Sequence, residues 1–393
     1  MAGPLSSLNI LDFSTLLPGP FASLLLGDMG ADVLRVESPT RPDLVRLLPP
    51  YEGGVSASHA YLNRNKRSIA LDLKRPEAVE VVKSLVQSYD IVLEQFRPGV
   101  MDKLGVGYEA LKALNPKLIY VSITGYGQTG PYRDRAGHDL NYLAVSGLAS
   151  YTGRRDSGPL PLGMQVADIA GGSLHGVIGL LAAVVQRQAT GQGQHVDISM
   201  TDCAFSLHAM AGAGYLAAGV EPQMEDQALN GGSFYDYYQS RDGRWFAVGS
   251  LEPQFMQQLC AAIGQPELAK KGLSSKLDEQ QALKREIAGA FAEQDFAYWC
   301  ERFAALDACV EPVLSLSEAA QHPQIKARHL LTEVSRDGHA PQAQMACPIK
   351  FSQPLEAPKH IGVSVGAHTD QVLAELGYTP ERIAELRQAR IFG

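Results

Sequence analysis

Asp168 is the first of three side chains whose type and setting could do acid–base chemistry. It stands in the run Ala167–Gly172 (ADIAGG), directly before a strongly apolar segment with helical spacing. An Asp at this point ordinarily caps a helix, because its carboxylate accepts a backbone N–H bond and suits the helix dipole. The two glycines of the run lower helix propensity by about 1 kcal/mol each relative to Ala, and they would let a ligand approach the backbone closely. Asp168 is therefore either a helix cap or a site carboxylate.

His138 and Glu252 are two further side chains that could take part in proton transfer. His138 lies in the run Gly137-His138-Asp139-Leu140-Asn141-Tyr142, after a polar loop. A lone histidine is more often structural than catalytic. Glu252 precedes Pro253, and an acidic residue before a proline at the first helical position is an ordinary helix start. None of the three side chains defines a site by itself.

Basic residues recur near the carboxyl ends of the predicted strands in the first half of the chain: Arg35, Lys66, Arg67, Lys74, Arg97 and Lys103. Ligands of open α/β sheets bind outside these ends, so the pattern predicts a phosphate-rich ligand. The alternative is ordinary solvated surface charge. The first strand is followed by residues 14–20 (STLLPGP) and not by GxGxxG, which argues against a nicotinamide or flavin enzyme.

The elements that must position these side chains alternate strand and helix. Apolar, β-rich runs predict strands over 9–13, 31–37, 68–73, 91–94, 118–123 and 195–198, and helical spacing covers 21–26, 76–87 and 169–185. A strand, a short helix and a strand within about 30 residues form a βαβ unit with a parallel crossover. The repeated pattern predicts a doubly wound α/β sheet. After the last strand we expect one long Ala/Gly-rich helix that ends at about Gly219.

A smaller domain is expected after a polar, Gly-rich linker at 221–232. Apolar runs at 234–238 and 245–249 flank Arg241-Asp242-Gly243, which predicts a β-hairpin around an Asp-Gly turn. Helical patterns follow at about 254–263, 278–293 and 296–305. We therefore expect a large domain over 1–220, a small α+β domain over 225–310, and a segment over 311–393 that returns to complete the large domain.

Composition and charge exclude several classes of protein. Of the 393 residues, 45% are hydrophobic and 19% are charged, which is typical of a globular protein and not of a disordered chain or a coiled coil. The formal net charge of −8 argues against general binding to nucleic acid or to an anionic membrane. The 5 cysteines are scattered without metal-ligand spacing, so we expect free thiols and no metal site.

Two features of the sequence bear on cellular location. The N-terminal residues lack a basic stretch, and their apolar run is interrupted by Pro18-Gly19-Pro20, which is unlike a signal peptide. The longest other apolar run, 177–185, is far shorter than the ~20 residues that span a bilayer, and it predicts a buried helix. The sequence therefore predicts a cytoplasmic protein without a membrane partner.

Taken in order, segments along nearly the whole chain resemble the family III CoA-transferases and, within that superfamily, the α-methylacyl-CoA racemases. The resemblance is carried by residues 11–13 with 18–20, 30–33, 65–68, 95–99, 125–131 and 191–194. Racemases in particular resemble the runs 137–142 (GHDLNY) and 248–255 (VGSLEPQF). Transferases of the formyl-CoA type carry a Gln where this chain has Leu17, and a run of glycines that this sequence lacks. The collinear blocks favour Asp168 as an active-site carboxylate over a helix cap.

The resemblance implies a racemase that inverts the α-carbon of 2-methylacyl-CoA thioesters by proton transfer between two bases. Asp168 and His138 would be the bases, and Glu252 would orient and charge His138. Backbone N–H groups at the start of the helix after Asp168 would stabilise the enolate oxygen. The alternative is a CoA-transferase that moves CoA between carboxylic acids through an aspartyl-CoA intermediate at Asp168. We expect no cofactor beyond the CoA moiety of the substrate.

The resemblance also implies where CoA binds and how the chain assembles. Its CoA-binding positions are matched by Arg35, Leu71, Lys74, Gln95, Phe96, Arg97, Lys103, Gly137, Asp139, Asn141 and Tyr142. The implied fold is a large Rossmann-like doubly wound domain with a small α+β domain, and the implied assembly is an interlocked homodimer. Glu252 would then reach the active site from the partner chain. A place in acyl-CoA and lipid metabolism follows from the same resemblance.

Overall fold

Six parallel strands form the main sheet of the part of the chain, residues 3–392, that a computed structural model describes. They are β1 (Asn9–Asp12), β2 (Asp32–Glu37), β3 (Arg67–Ala70), β4 (Ile91–Glu94), β5 (Ile119–Thr124) and β6 (His195–Ser199). Their order across the sheet is β3-β2-β1-β4-β5-β6, and neighbouring strands are parallel throughout. The order reverses between β1 and β4, the position at which open α/β sheets bind ligands. The predicted parallel α/β sheet is confirmed.

Helices lie between these strands and after the last of them. They are α1 (Pro18–Asp28), α2 (Ala57–Leu62), α3 (Pro76–Leu85), α4 (Val100–Lys103), α5 (Tyr108–Lys112), α6 (Asp139–Ser146), α7 (His175–Thr190) and α8 (Met200–Ser206). A π-helical segment, Ala167–Leu174, leads directly into α7. Both α1 and α3 begin with a proline, whose fixed φ suits the first turn. Proline lacks a backbone N–H, but an N–H at this position would make no hydrogen bond within the helix.

A smaller unit holds Gly147–Leu162 and His208–Pro323, while the remaining described residues form the larger unit. Its antiparallel sheet joins β7 (Asp236–Gln239), β8 (Trp245–Val248) and β9 (Val310–Pro312). The pairing of β7 with β8 confirms the predicted hairpin. The helices of this unit are α9 (Ala211–Ala218), α10 (Pro253–Ala262), α11 (Leu277–Phe291), α12 (Phe296–Phe303) and α13 (Leu316–Gln321). A further helix, α14 (Pro323–Ala327), begins at the last residue of the smaller unit.

Two sequence expectations differ from this division of the chain. The long helix expected after β6 is wrong: α8 ends at Ser206 and α9 begins at Ala211, because the chain passes between the units there, after Leu207. The return segment expected from 311 begins later, because β9 pairs with β8 in the sheet of the smaller unit. Segments 147–162 and 208–224 likewise belong to the smaller unit, although the sequence analysis placed most of them in the large domain.

The C-terminal residues complete the larger unit. They form a ribbon of β10 (Leu331–Arg336) and β11 (His339–Met345), followed by α15 (Thr369–Glu375) and α16 (Pro380–Gln388). The Thr369 hydroxyl accepts a 3.1 Å bond from the Ala70 N–H, and the His368 N–H donates to the Ser68 carbonyl at 2.9 Å. These bonds cover the outer edge of β3, whose backbone groups would otherwise lack partners.

The apolar run at 177–185 lies in a longer helix than its sequence predicts. Among the described residues, Ala167–Thr190 is the one helix with the length and composition to cross a membrane, a test that core helices of soluble proteins also pass. The expectation that this helix is buried is only partly correct. Ile178 is 62% exposed and Val185 is 66% exposed.

Candidate active site

Asp168 lies within the first turn of the π-helical segment and does not cap it. Val166 occupies the capping position, and the Asp168 backbone N–H donates to Asp139 Oδ1 at 3.1 Å. The Ala167 N–H donates to the same oxygen at 2.7 Å. The capping role therefore belongs to the Asp139 side chain, which comes from the start of α6. This leaves the carboxyl group of Asp168 available for chemistry.

The carboxyl group of Asp168 has an unusual affinity for a proton. Its pKa is raised to about 6, mainly by burial and secondly by the negative charge of Asp139. The nearby His138 acts in the opposite direction and lowers the pKa. Asp168 is half-buried, so it remains accessible to a small reacting group. A carboxyl group with this pKa can exchange a proton near neutral pH, which an ordinary Asp does poorly.

The turn that carries His138 is held by its own neighbours in the sequence. The His138 N–H donates to Asn141 Oδ1 at 3.0 Å, and the His138 carbonyl accepts the Asn141 N–H at 2.8 Å. The Tyr142 hydroxyl donates to the Gly137 carbonyl at 2.5 Å. His138 itself is exposed, at the start of α6. In the structure, Gly137, Asn141 and Tyr142 thus fix the turn from which the imidazole projects.

The glycines after Asp168 serve packing and not ligand approach. A Cβ atom on Gly171 would lie 3.1 Å from the Met200 carbonyl oxygen, and one on Gly172 would lie 3.1 Å from carbons of Met200 and Pro18. Both glycines are buried against α8 and α1, which corrects the expectation from sequence. Of the expected oxyanion donors after Asp168, the Ile169 N–H is already engaged, because it donates to the Gln165 carbonyl at 2.9 Å.

A cavity of about 750 Å³, here called the carboxyl-edge cavity, opens where β1 to β4 end. Of the predicted CoA-binding residues it is lined by Arg35, Leu71, Lys74, Phe96 and Arg97. Lys74 and Arg97 are exposed, so their charges can meet an anionic ligand. Among the described residues that line the cavity, Lys103 does not appear; it is exposed at the end of α4. Gln95 lies beside the cavity, and its Oε1 accepts the Gly19 N–H at 2.8 Å.

Arg35 is placed differently from the other basic residues of this cavity. It is only 2% exposed, and its guanidinium pairs with Asp43 at 2.8 Å and with Glu37 at 3.2 Å. It also donates to the Ser14 carbonyl at 3.2 Å. Its charge is therefore neutralised by protein carboxylates, and its contacts hold the loop after β1. Sequence analysis missed Asp43, because nothing near it in the chain marks it as the partner of Arg35.

Two other basic residues of the sequence pattern have structural partners. Lys66 is buried, and its ammonium donates to the Pro20 carbonyl, Ser23 Oγ and Asn63 Oδ1 at 2.7 to 3.1 Å. Burial lowers the pKa of Lys66 to about 7, against the attraction of Asp12. Arg67 pairs with Asp32 and Glu375. Lys66 and Arg67 are therefore neither phosphate-binding residues nor ordinary solvated surface charges.

Arg97 and Asp168 both act on the hydroxyl of Tyr142. The pKa of Tyr142 is raised to about 12, mainly by burial and secondly by the charge of Asp168, while the positive charge of Arg97 opposes the rise. Arg97, which lines the carboxyl-edge cavity, and Asp168 therefore both lie near Tyr142.

Glu252 lies in the smaller unit, at the start of α10. It occupies the capping position before Pro253, which confirms the helix start predicted for it. Within residues 3–392 its side chain makes no capping hydrogen bond, and it is exposed. Its negative charge raises the pKa of the neighbouring Cys309 thiol, after a larger effect of burial. Glu252 is thus a carboxylate held at a defined position with its charge directed to solvent.

The parallel sheet, the basic cavity at its carboxyl edge and the perturbed carboxyl of Asp168 are together typical of an α/β enzyme. The chain belongs to CoA-transferase family III, whose family model matches residues 5–369. The α-methylacyl-CoA racemase of Homo sapiens is 35% identical over 98% of this chain and 97% of its own length.

Transferases are similar to the chain to the same degree. The succinate–glutarate CoA-transferase of Agrobacterium fabrum is 35% identical, with 97% of each chain covered. Among solved structures, a CAIB/BAIF family protein from Brucella suis matches with a TM-score of 0.83 and 31% identity, over 96% of this chain and 100% of that one. The comparisons therefore give a superfamily of enzymes that contains both reactions.

Proposed function

We propose that the protein is an α-methylacyl-CoA racemase, which inverts the α-carbon of 2-methylacyl-CoA thioesters. The observation that carries the proposal is the pair formed by Asp168 and His138. Asp168 has a pKa of about 6, so its carboxyl group can accept or donate a proton near neutral pH, and His138 is close enough to influence it. A carboxyl group and an imidazole that met the α-carbon from opposite faces would supply the two bases that inversion without a cofactor requires.

The reaction follows from this pair. One base removes the α-proton of the thioester, the electron pair moves onto the thioester oxygen as an enolate, and the other group delivers its proton to the opposite face. Asp168 removes the proton from one enantiomer while His138 is the acid, and the roles reverse for the other enantiomer. The total number of protons is unchanged and no electrons are gained or lost, so the reaction needs no redox cofactor, and we expect no cofactor beyond the CoA moiety of the substrate.

The carboxyl-edge cavity supports CoA as the part of the substrate that binds there. Lys74 and Arg97 are the exposed cations that would meet its phosphates, and Phe96 offers an apolar surface. Arg35 would act through the loop it holds, because its own charge is already paired. We place the enzyme in acyl-CoA and lipid metabolism, as the resemblance implies, and in the cytoplasm, as the sequence predicts.

Exposed apolar helices support the proposal that the enzyme is an interlocked homodimer. On α7, Ile178 and Val185 are mostly exposed, and on α9 Leu216 is 75% exposed. Apolar patches of this kind are ordinarily covered in a soluble assembly. A second copy of the chain would cover them, and it would bring the exposed Glu252 to the imidazole of His138.

A CoA-transferase is the alternative, favoured by the transferase relative at 35% identity. In that reaction the Asp168 carboxylate attacks the acyl carbonyl, CoA leaves as the thiolate, and an acyl-aspartyl anhydride forms. The thiolate then attacks the aspartyl carbonyl and releases the first acid, which leaves an aspartyl-CoA thioester for the second acid to repeat the sequence. His138 has no required part in these steps.

One experiment separates the two reactions. Each enantiomer of a 2-methylacyl-CoA is incubated in D₂O with wild type, Asp168→Ala, His138→Ala and the surface control Asp134→Ala, with and without a free acid acceptor. Asp134 suits the control because its side chain is 80% exposed in the loop before His138. Chiral analysis measures inversion, mass spectrometry measures deuterium at the α-carbon, and chromatography measures CoA transfer.

A racemase loses net inversion in both site variants and keeps it in the control. His138→Ala should still exchange the α-proton of the enantiomer that faces Asp168 while retaining its configuration, and Asp168→Ala should show the opposite preference. CoA transfer by the wild type without deuterium uptake, together with an active His138→Ala variant, would establish the transferase instead.

A further inference from the structure

A second, smaller cavity of about 170 Å³ lies behind the segment Gln95–Arg97. It is lined by Glu94 and Arg97 from that side and by Asp102, Glu109, Ser122 and His195 from the others. Arg97 therefore belongs to both cavities, with one in front of it and one behind. Apart from Arg97, the proposed function uses none of the charged groups of this smaller cavity.

Glu94 is the last residue of β4 and is only 5% exposed. Its Oε2 accepts the Phe96 N–H at 2.7 Å, which folds the backbone into a tight turn directly after the strand. The next side chain, Gln95, accepts the Gly19 N–H and so joins this turn to the start of α1. The carboxylate of Glu94 thus fixes the backbone that carries Phe96 and Arg97.

Ser122 and His195 hold the Glu94 carboxylate from neighbouring strands. Ser122 lies opposite Glu94 in the register of β4 and β5, and its hydroxyl bonds to the carboxylate. His195 Nε2 lies 2.9 Å from Ser122 Oγ. The imidazole is stacked on the ring of Tyr108, with 5.1 Å between ring centroids. A buried carboxylate, a hydroxyl and an imidazole therefore form one hydrogen-bonded row.

We propose that Glu94 is a positioning residue, which with Ser122 and His195 holds Phe96 and Arg97 in the arrangement that binds the nucleotide end of the CoA ester. The inference rests on the proposed function, because it needs CoA as the ligand of the carboxyl-edge cavity. Burial alone does not explain an acidic residue here, since an apolar residue would end the strand at lower cost.

The electrostatic surroundings of Glu94 agree with this role. The pKa of Glu94 is raised to about 7, mainly by burial; the bonds from Ser122 and the Phe96 N–H oppose the rise, and the charges of Asp102 and Asp197 add to it. Those two bonds therefore favour the charged form, which is the stronger hydrogen-bond acceptor. The hydrogen bond from the Phe96 N–H therefore both stabilises the Glu94 carboxylate and orders the turn after β4.

The test compares binding and catalysis in Glu94→Ala, Glu94→Gln and the control Glu109→Ala. Glu109 lines the same cavity but is exposed, and it lies away from the turn on α5. Titration calorimetry with CoA itself gives Kd without any turnover. Initial rates with a 2-methylacyl-CoA give KM and kcat separately, and thermal unfolding reports on the fold.

Loss of the acceptor in Glu94→Ala should weaken CoA binding and raise KM about tenfold, with kcat changed by less than about twofold. Glu94→Gln retains an oxygen that can accept the Phe96 N–H, so it should restore Kd to within about threefold of wild type. Glu109→Ala should match wild type. If Glu94→Ala does not fold, Ser122→Ala replaces it, with an expected KM increase of about threefold.

The outcomes separate this inference from the proposed function. A wild type that does not bind CoA overturns both. A wild type that binds CoA, with Glu94→Ala or its replacement binding equally well, overturns the inference alone. A loss of kcat with unchanged KM, or a Glu94→Gln variant as weak as Glu94→Ala, also overturns it, since neither result fits a hydrogen bond that orders a binding segment.

Discussion

Replacing Asp139 by Asn tests whether this buried carboxylate sets the proton affinity of Asp168. Asp139 Oδ1 accepts the N–H groups of Ala167 and Asp168, and its charge raises the pKa of the Asp168 carboxyl. The amide oxygen of Asn can accept the same two bonds while carrying no charge. The substitution Asp139→Asn therefore removes the electrostatic effect and keeps the contacts.

The size of the effect follows from the causes of the raised pKa. Asp168 is raised from 3.8 to about 6, with burial the largest cause and Asp139 the second. Loss of the Asp139 charge therefore removes part of this rise, on the order of 1 pH unit or about 1.4 kcal/mol. As a base, Asp168 must be deprotonated, so activity falls as the pH drops through its pKa.

The assay is the pH dependence of kcat/KM for inversion of the enantiomer from which Asp168 removes the proton, followed by chiral chromatography between pH 4.5 and 8. At pH 5 the wild type should retain about a tenth of its maximum, and Asp139→Asn up to about half of its own maximum. Asp134→Asn removes an exposed carboxylate from the preceding loop and should leave the acidic limb in place.

An acidic limb that does not move in Asp139→Asn, in an enzyme that still requires Asp168, would refute this account of the pKa. A limb that moves to higher pH would refute it as well, because removal of a negative charge can only favour the ionised carboxylate. A lower maximum rate alone would not bear on the argument, since each profile is compared with its own maximum.

The remaining predictions concern ligand binding, stability, cofactors and assembly. Arg97→Ala should raise KM for the CoA ester about tenfold without loss of stability, because Arg97 is exposed in the cavity. Arg35→Ala should instead lower the free energy of unfolding by about 3–5 kcal/mol in urea titrations, since Glu37 and Asp43 lose their buried partner; the reverse pattern contradicts both assignments. Activity should survive dialysis against EDTA, and restoration of a lost activity by one metal ion would count against the two-base reaction. Light scattering should show a dimer at assay concentrations, and an active monomer would rule out a site completed by a second chain.

The main sheet could be predicted from sequence because its signals are local. Strands buried on both faces are written as short apolar runs, and the runs at 9–13 and 91–94 correspond to β1 and β4 within one residue. The hairpin of β7 and β8 follows from an Asp-Gly turn between two apolar runs. The break between α8 and α9 could not be predicted in this way, because it depends on where the chain passes from one unit to the other.

The sequence by itself determined which side chains could do the chemistry. The runs around His138 and Asp168 contain the two bases that we propose, and the GHDLNY run holds its own turn through Asn141 and Tyr142. These contacts join residues at most five positions apart, so neighbouring residues carry the information.

Tertiary structure determined the burial and the charge partners of each of these side chains. Arg35 and Arg97 look alike in the sequence, yet Arg35 is neutralised by Asp43 and Glu37 while Arg97 is exposed in the cavity. Asp168 owes its pKa to burial and to Asp139, which lies 29 residues earlier in the chain. Burial and charge partners depend on which distant segments meet, and local periodicity carries no record of that meeting.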